Sequence, residues 1–160
     1  MERTLGLRWQ QTPSQLYLVT RRDLHPGDGV PPGRWLARLG QADLENRQRK
    51  IEAVLEDVRR REFSGYPDRA KCCFACLSEG DALTFALNCG RLGYIYEVTV
   101  AAPKVFVADM RWFTEIGDAP GTAEQSARSY WAGLEHTGGA LLEVLVPGGL
   151  TISCRLRKVG

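Results

Sequence analysis

The sequence lacks any apolar run near the 20 or so residues that a membrane-spanning helix needs. It also lacks an excess of charge, because 21 Lys and Arg stand against 19 Asp and Glu, so no overall basic field is available to attract nucleic acid. The opening residues contain no apolar stretch of the kind that a signal peptide requires. We therefore expect a cytoplasmic globular protein, with delivery into another cell left open.

Cysteine is too sparsely placed to build a metal site or a disulfide framework. The five cysteines are an odd number, which favours reduced thiols. Cys73 and Cys76 have C-x-x-C spacing, but the other possible ligands, two cysteines and two histidines, occur singly. Residues three apart on a strand point to opposite faces, so we interpret these two cysteines as small buried side chains and expect no metal. The two common glycine-rich phosphate-binding motifs are absent as well.

The patterns that are present predict one α+β domain over residues 1–160. Helical spacing of apolar residues predicts a long amphipathic helix over about 41–63. A second helix is predicted after Ser78, which has the acidic Asp81 three residues later, as in a capping box. A third is predicted over 123–134.

Runs of β-branched, aromatic and alternating residues predict the strands of this domain. They cover 16–20, 72–77, 93–100, 104–108, 141–146 and 150–156. Pro147-Gly148-Gly149 separates the last two, which we expect to form a terminal hairpin or a bent strand pair. Residues 1–14 are predicted to be irregular, and 24–34 and 111–124 to be loops.

Glu143 interrupts the apolar run from Gly139 to Pro147. A carboxylate buried without a partner is energetically costly. Strand alternation gives Glu143 the same face as Leu141 and Leu145, so neither face of this strand is polar. Glu143 is therefore either an outward-facing residue or part of a functional site.

Four segments of the sequence resemble the ADP-ribosyltransferase superfamily, in particular its small bacterial and phage members, which include DNA-modifying toxins. Leu142–Pro147 followed by Leu150-Thr151-Ile152 resembles the strand of the catalytic glutamate. Leu16–Arg21 resembles the first strand, which grips NAD, and Pro67–Ser78 resembles the second wall of the nicotinamide pocket. Ser129-Tyr130-Trp131 is similar to a Tyr-Trp pair that precedes the Glu strand in small members. The resemblance implies a split β-sheet core with the long helix and flanking helices.

The resemblance also implies an enzyme that moves ADP-ribose from NAD to a macromolecular acceptor, as a toxin or phage-conflict effector would. Glu143 is the expected catalytic residue, since a carboxylate stabilises the positive charge that develops on the ribose as nicotinamide leaves. The arginines would hold the pyrophosphate and the aromatic rings would stack on nicotinamide. The expected NAD-binding residues are Tyr17, Thr20, Arg21, Arg69, Phe74, Ser78 and Tyr130.

Two positions depart from the family pattern. Leu18 stands where many relatives have His, so Thr20 and Arg21 would supply the grip on the adenosine ribose. Leu141 stands where arginine-modifying relatives have Glu or Gln. Arginine is therefore disfavoured as the acceptor, which leaves nucleic acid bases or other protein sites, chosen by the predicted loops.

Two other functions stay open. An NAD glycohydrolase would use the same fold with water as the acceptor. A non-catalytic binding or inhibitor module would leave NAD unbound and would expose Glu143 on a sheet edge.

Overall fold

The computed structural model describes residues 8–34, 46–88 and 93–160. The strands in these ranges are β1 (Trp9–Gln11), β2 (Leu16–Thr20), β3 (Gly29–Val30), β4 (Cys72–Ala75), β5 (Gly93–Val100), β6 (Lys104–Asp109), β7 (Leu142–Pro147) and β8 (Leu150–Val159). The helices are α1 (Asn46–Glu62), α2 (Glu79–Asn88), α3 (Trp112–Asp118) and α4 (Ala123–Trp131), with 3-10 turns at Arg69–Lys71 and Pro120–Thr122. The predicted α+β class is confirmed.

The strands form two four-stranded antiparallel sheets. The first sheet has the order β1-β6-β7-β4, and the second has the order β2-β5-β8-β3. Among the described residues, one isolated antiparallel bridge, between Tyr17 and Cys76, joins the two sheets. The Tyr17 amide donates to the Cys76 carbonyl at 3.0 Å, and the Cys76 amide donates to the Tyr17 carbonyl at 2.7 Å. We call this bridge the seam.

The main apolar core lies between the two sheets. The first sheet contributes Val105, Val107, Val144 and Val146, and the second contributes Leu16, Leu18, Tyr96 and Val98. Because side chains alternate along a strand, Phe106 and Leu145 point the other way and pack with α1, α3 and α4. Helix α2 packs on the outer face of the second sheet, against Val19 and Ile95. Glu143 shares the face of Leu145 and therefore points into the helix layer.

The long amphipathic helix is confirmed as α1. Its buried residues Ile51, Leu55 and Val58 recur at helical spacing. Its last turn carries Arg59, Arg60 and Arg61, which suits the negative end of the helix dipole. The predicted start at residue 41 lies outside the described residues.

The expected terminal hairpin is wrong. β7 pairs with β4 on one side and β6 on the other, so it has no free edge for β8. β8 pairs instead with β5 in the second sheet, and the chain changes sheets at Gly148, whose φ of 101° favours glycine.

Three predictions of irregular structure are also wrong in part. Within the predicted loop 24–34, Gly29–Val30 form β3 by pairing with β8. Residues 111–124 contain α3 and a 3-10 turn, because Trp112, Phe113 and Ile116 have apolar surface to bury against α1 and α4. Residues Trp9–Gln11 form an edge strand through pairing with β6, which their polar composition does not indicate. Within the described ranges, no helix combines the length and the apolarity that crossing a membrane demands.

Candidate active site

Four of the eight predicted site residues meet in one buried cluster beneath the helix layer. They are Arg69, Phe74, Tyr130 and Glu143, and Glu52 of α1 joins them. We call these five residues the Arg69 cluster. Because they come from α1, a 3-10 turn, β4, α4 and β7, the cluster ties the helix layer to the first sheet.

The Arg69 guanidinium is the centre of the cluster. The Asp68 carboxylate accepts from the Ala70 amide at 2.9 Å, which caps the 3-10 turn that carries Arg69. Arg69 is 4% exposed and forms a two-pronged contact with Glu52, Nε to Oε2 and Nη2 to Oε1, both at 2.8 Å. Paired contacts of this kind are the strongest that arginine makes with carboxylates.

The hydrogen bonds that the described residues donate to the Glu143 side chain end on a single oxygen. Arg69 Nη1 donates to Glu143 Oε1 at 2.5 Å, and the Tyr130 hydroxyl donates to the same oxygen at 2.6 Å. Arg69 Nη1 also lies 2.6 Å from the Tyr130 oxygen. Neither bond to Glu143 uses Oε2. The side chain is nevertheless buried, with 5% of the residue exposed.

The cluster carries one positive charge and two negative charges. Burial opposes the charge on Arg69, but the carboxylates of Glu143 and Glu52 outweigh it and raise the pKa of Arg69 well above its ordinary value. Burial raises the pKa of Tyr130 well above its ordinary value, and the charge of Glu143 adds to this against the opposing effect of Arg69. Tyr130 is therefore neutral and acts as a donor to Glu143.

Aromatic rings surround the Arg69 guanidinium. Its carbon lies 4.7 Å from the Phe74 ring centre, 5.0 Å from that of Phe113 and 5.6 Å from that of Tyr130. These distances fit cation–π contacts. In this structure Phe74 and Tyr130 therefore contact a protein cation, in the way that they were predicted to contact the cationic ring of NAD.

Tyr17 lies at the seam and packs with Cys76 in the cluster beneath α2. The β4–β7 ladder ends at the pair of Ala75 with Val144, one residue short of Cys76 and Glu143. Because side chains alternate along a strand, Cys76 and Glu143 lie on the same face of β4 and β7, and the bridge at the seam gives Tyr17 that face as well.

The other predicted site residues lie outside the cluster. Thr20 and Arg21 are at the far end of β2, where the Thr20 hydroxyl accepts from the Arg22 amide at 3.2 Å. Ser78 begins α2 and accepts from the Asp81 amide at 3.0 Å, which confirms its predicted capping role. Ser78 is two residues beyond the seam, whereas Arg21 is four residues from it.

Sequence reasoning missed Glu52 and Phe113. Glu52 lies three residues before the buried Leu55, so it borders the apolar stripe of α1, and that position is the signal that could have identified it. A cavity of about 260 Å³ opens beside it, between α1 and the 3-10 turn. Three carboxylates (Glu52, Glu56 and Asp68) and two guanidiniums (Arg60 and Arg69) line this cavity.

The cysteines of β4 are buried, as predicted. Burial raises the pKa of the Cys72 thiol to about 12 and that of Cys73 to about 11, so both are protonated and unreactive at neutral pH. Within the described part of the chain, no group of three or more His, Cys, Asp or Glu side chains could hold a metal ion. Cys89 lies outside it.

A family model described as "Protein of unknown function (DUF2441)" matches residues 40–158, about three quarters of the chain. The match includes the whole Arg69 cluster and omits β2 with Tyr17. No curated protein matches the sequence.

Proposed function

The chain belongs to the DUF2441 family, and we propose that it is an NAD-dependent ADP-ribosyltransferase with Glu143 as its catalytic carboxylate. The observation that supports the proposal is the position of the three strands that resemble the superfamily. β2 meets the end of β4 at the seam, and β4 pairs with β7, so Tyr17 and Glu143 share one face. On this proposal the two sheets are the halves of the split core.

The chemistry needs a carboxylate beside the ribose. Nicotinamide leaves with the electron pair of the glycosidic bond, and positive charge develops on the ribose. The acceptor then attacks that carbon and loses a proton. Glu143 Oε2, which neither Arg69 nor Tyr130 uses, is the oxygen available to meet a ribose hydroxyl. Interaction with a charge that exists only in the transition state lowers the barrier without over-stabilising bound NAD.

Arg69 regulates access to this carboxylate on the same proposal. In the resting protein its guanidinium supplies the positive charge that Glu143 would meet on the reacting ribose. Since Glu143 is 5% exposed, NAD must displace the side chains around the carboxylate before it reacts. The two bonds from Arg69 to Glu52 can hold the guanidinium while its contact with Glu143 opens.

The acceptor is a nucleic acid base or a protein site other than arginine. Leu141, two residues before Glu143, offers no side-chain base that could activate a guanidinium acceptor. NAD hydrolysis, with water as acceptor, would use the same carboxylate.

One observation favours a second candidate, a non-catalytic module. Glu143 Oε1 is held by both a charged and a polar neighbour, Arg69 and Tyr130, as in a structural network. The specific expectation tied to this candidate is nevertheless wrong, because Glu143 is buried on a central strand and not exposed on a sheet edge.

The test is nicotinamide release from NAD by the purified chain, with cell lysate as the source of acceptors. Glu143→Gln should lower release by about a hundredfold or more, as loss of one aimed electrostatic group does. Glu97→Gln, a half-buried strand glutamate in β5, is the matched control and should leave release unchanged. Glutamine at 143 keeps an oxygen for Tyr130, and Glu52 still pairs with Arg69, so the variant should fold.

NAD that is labelled in its adenylate half distinguishes the transferase from the glycohydrolase. Transfer to nucleic acid or protein in the lysate supports the proposal, and release without transfer supports the glycohydrolase. If neither the parent chain nor Glu143→Gln releases nicotinamide, with or without lysate, the enzyme proposal fails and the non-catalytic module takes its place.

A further inference from the structure

A second cavity lies at the end of β6 and has no part in the proposed NAD chemistry. Its volume is about 210 Å³, and it is lined by Arg111, Thr114, Glu115 and His136. The first three residues belong to the start of α3, and His136 belongs to the loop before β7. The cavity is therefore built from two segments that are far apart in the sequence.

Asp109 holds the two walls of this cavity together. Its carboxylate is fully buried and accepts three backbone hydrogen bonds. Oδ1 accepts from the amides of Arg111 and Leu141, both at 3.0 Å, and Oδ2 accepts from the amide of His136 at 2.7 Å. Buried polar groups rigidify a structure when every bond is satisfied, so the cavity is preformed.

Arg111 brings a positive charge to the cavity. Among the residues that the structure describes, no carboxylate forms a salt bridge with it. Its Nε is buried and has no hydrogen-bond partner within that same part of the chain. Since Nε has no accessible surface, a ligand in the cavity meets the terminal Nη groups of Arg111.

Glu115 brings a negative charge to the same side of the cavity, one helical turn after Arg111. His136 Nε2 lies 2.5 Å from Glu115 Oε1, and the Gly138 amide donates to His136 Nδ1 at 3.1 Å. Because Nδ1 accepts a bond, Nε2 must carry the ring proton and donate it to Glu115, which leaves the imidazole neutral. The Glu115 side chain is 42% exposed, and its second oxygen, Oε2, accepts a long hydrogen bond of 3.4 Å from the Ser126 hydroxyl. The Trp112 ring packs edge-on against His136 at 4.8 Å and fixes it in place.

We propose that this cavity binds a small zwitterion of the amino-acid type, with the carboxylate on Arg111 and the ammonium group on Glu115. The Glu115 carboxylate would repel a phosphate dianion. A ligand with a carboxylate but no ammonium group would pair with Arg111 and leave Glu115 without a cation. The Thr114 hydroxyl offers one more hydrogen bond to the ligand carboxylate. The volume equals about seven liquid-water molecules, which accommodates both charged groups and a short side chain. The site depends on neither NAD nor Glu143.

Backbone-amide NMR titration of the full chain tests the site directly. L-alanine should give saturable shifts at Thr114, His136 and Gly138. Acetate, which lacks the ammonium group, should bind at least tenfold more weakly, and inorganic phosphate should bind more weakly than L-alanine.

Matched variants locate the two charges. Arg111→Ala should weaken L-alanine binding at least tenfold, whereas Arg60→Ala, at an exposed arginine of α1, should not change it. Glu115→Gln should weaken L-alanine binding but not acetate binding. Since the Arg111 side chain has no salt bridge within the described residues, Arg111→Ala should keep the melting temperature of the parent. The proposal fails if L-alanine gives no saturable shift, if Arg111→Ala binds as the parent does, or if phosphate binds more tightly than L-alanine.

Discussion

The hydroxyl of Tyr130 links the two charged partners at the centre of the Arg69 cluster. It donates to Glu143 at 2.6 Å and lies 2.6 Å from Arg69 Nη1, with the ring fully buried. Tyr130→Phe removes both contacts and leaves a charged donor and acceptor less well satisfied, so the free energy of unfolding should fall by about 1–3 kcal/mol. Urea denaturation of the parent and the variant measures this loss of unfolding free energy. Tyr17→Phe is the control and should change little, because among the described residues the Tyr17 hydroxyl donates to the Gln15 side chain alone, at a long and exposed 3.4 Å.

The same variant predicts a pH dependence. Burial raises the pKa of Tyr130, so the folded chain keeps the phenolic proton at pH values where the unfolded chain loses it. The stabilisation is complete below the unfolded pKa of about 10 and is lost as the pH rises above it. Phenylalanine cannot ionise, so the difference in unfolding free energy between the parent and Tyr130→Phe should narrow from about pH 9 to about pH 11. A difference that widens over this range would contradict the buried neutral phenol.

Individual residues of the cluster could be identified from the sequence, but their contacts could not. Glu143 was identified because a carboxylate within apolar residues needs a partner or a function. The partner, Arg69, is 74 positions away, and was expected to hold a pyrophosphate. Neither propensity nor spacing indicates which buried charge meets which, because that depends on how α1 packs on the first sheet.

Helix α2 begins three residues after Cys76 of the seam, and its first turn depends on Ser78. The Ser78 hydroxyl accepts the Asp81 amide, one of the donors that a helix leaves unpaired at its first turn. Ser78→Ala should lower the free energy of unfolding by about 1 kcal/mol, measured by urea denaturation. Thr84→Ala, at an exposed position within the same helix, is the control and should be neutral or slightly stabilising, because alanine favours helix. Equal losses in the two variants would mean that the cap contributes nothing specific.

Elements were predicted well where their own residues determine them. The apolar periodicity of α1 and the alternation of β5 are local, and both predictions are confirmed. Strand partners are not local, which is why the expected β7–β8 hairpin was wrong: the free edge available to β8 belongs to β5, about 50 residues earlier. α3 was missed because seven residues give too few turns for a helical period.

Across the whole molecule, the Arg69 cluster connects α1, the 3-10 turn, α4 and β7 through one guanidinium. Two carboxylates share that guanidinium, so among the five residues of the cluster two formal negative charges stand against one positive charge. An unpaired buried charge is far more unfavourable than a paired one. Stability should therefore depend on the charge balance of the cluster and not on the number of its salt bridges.

A double-mutant cycle on Glu52 and Glu143 tests this balance. Glu52→Gln or Glu143→Gln alone leaves one carboxylate for one guanidinium, so each single variant should lose less than about 1.5 kcal/mol of unfolding free energy. The double variant leaves Arg69 buried without either of the carboxylates that it pairs with in the described structure, and it should lose about 3–5 kcal/mol. The excess over the sum of the single losses, measured by urea denaturation, is the coupling through Arg69. Additive losses would mean that the two carboxylates act separately, and that Arg69 does not couple α1 to the strand that carries Glu143.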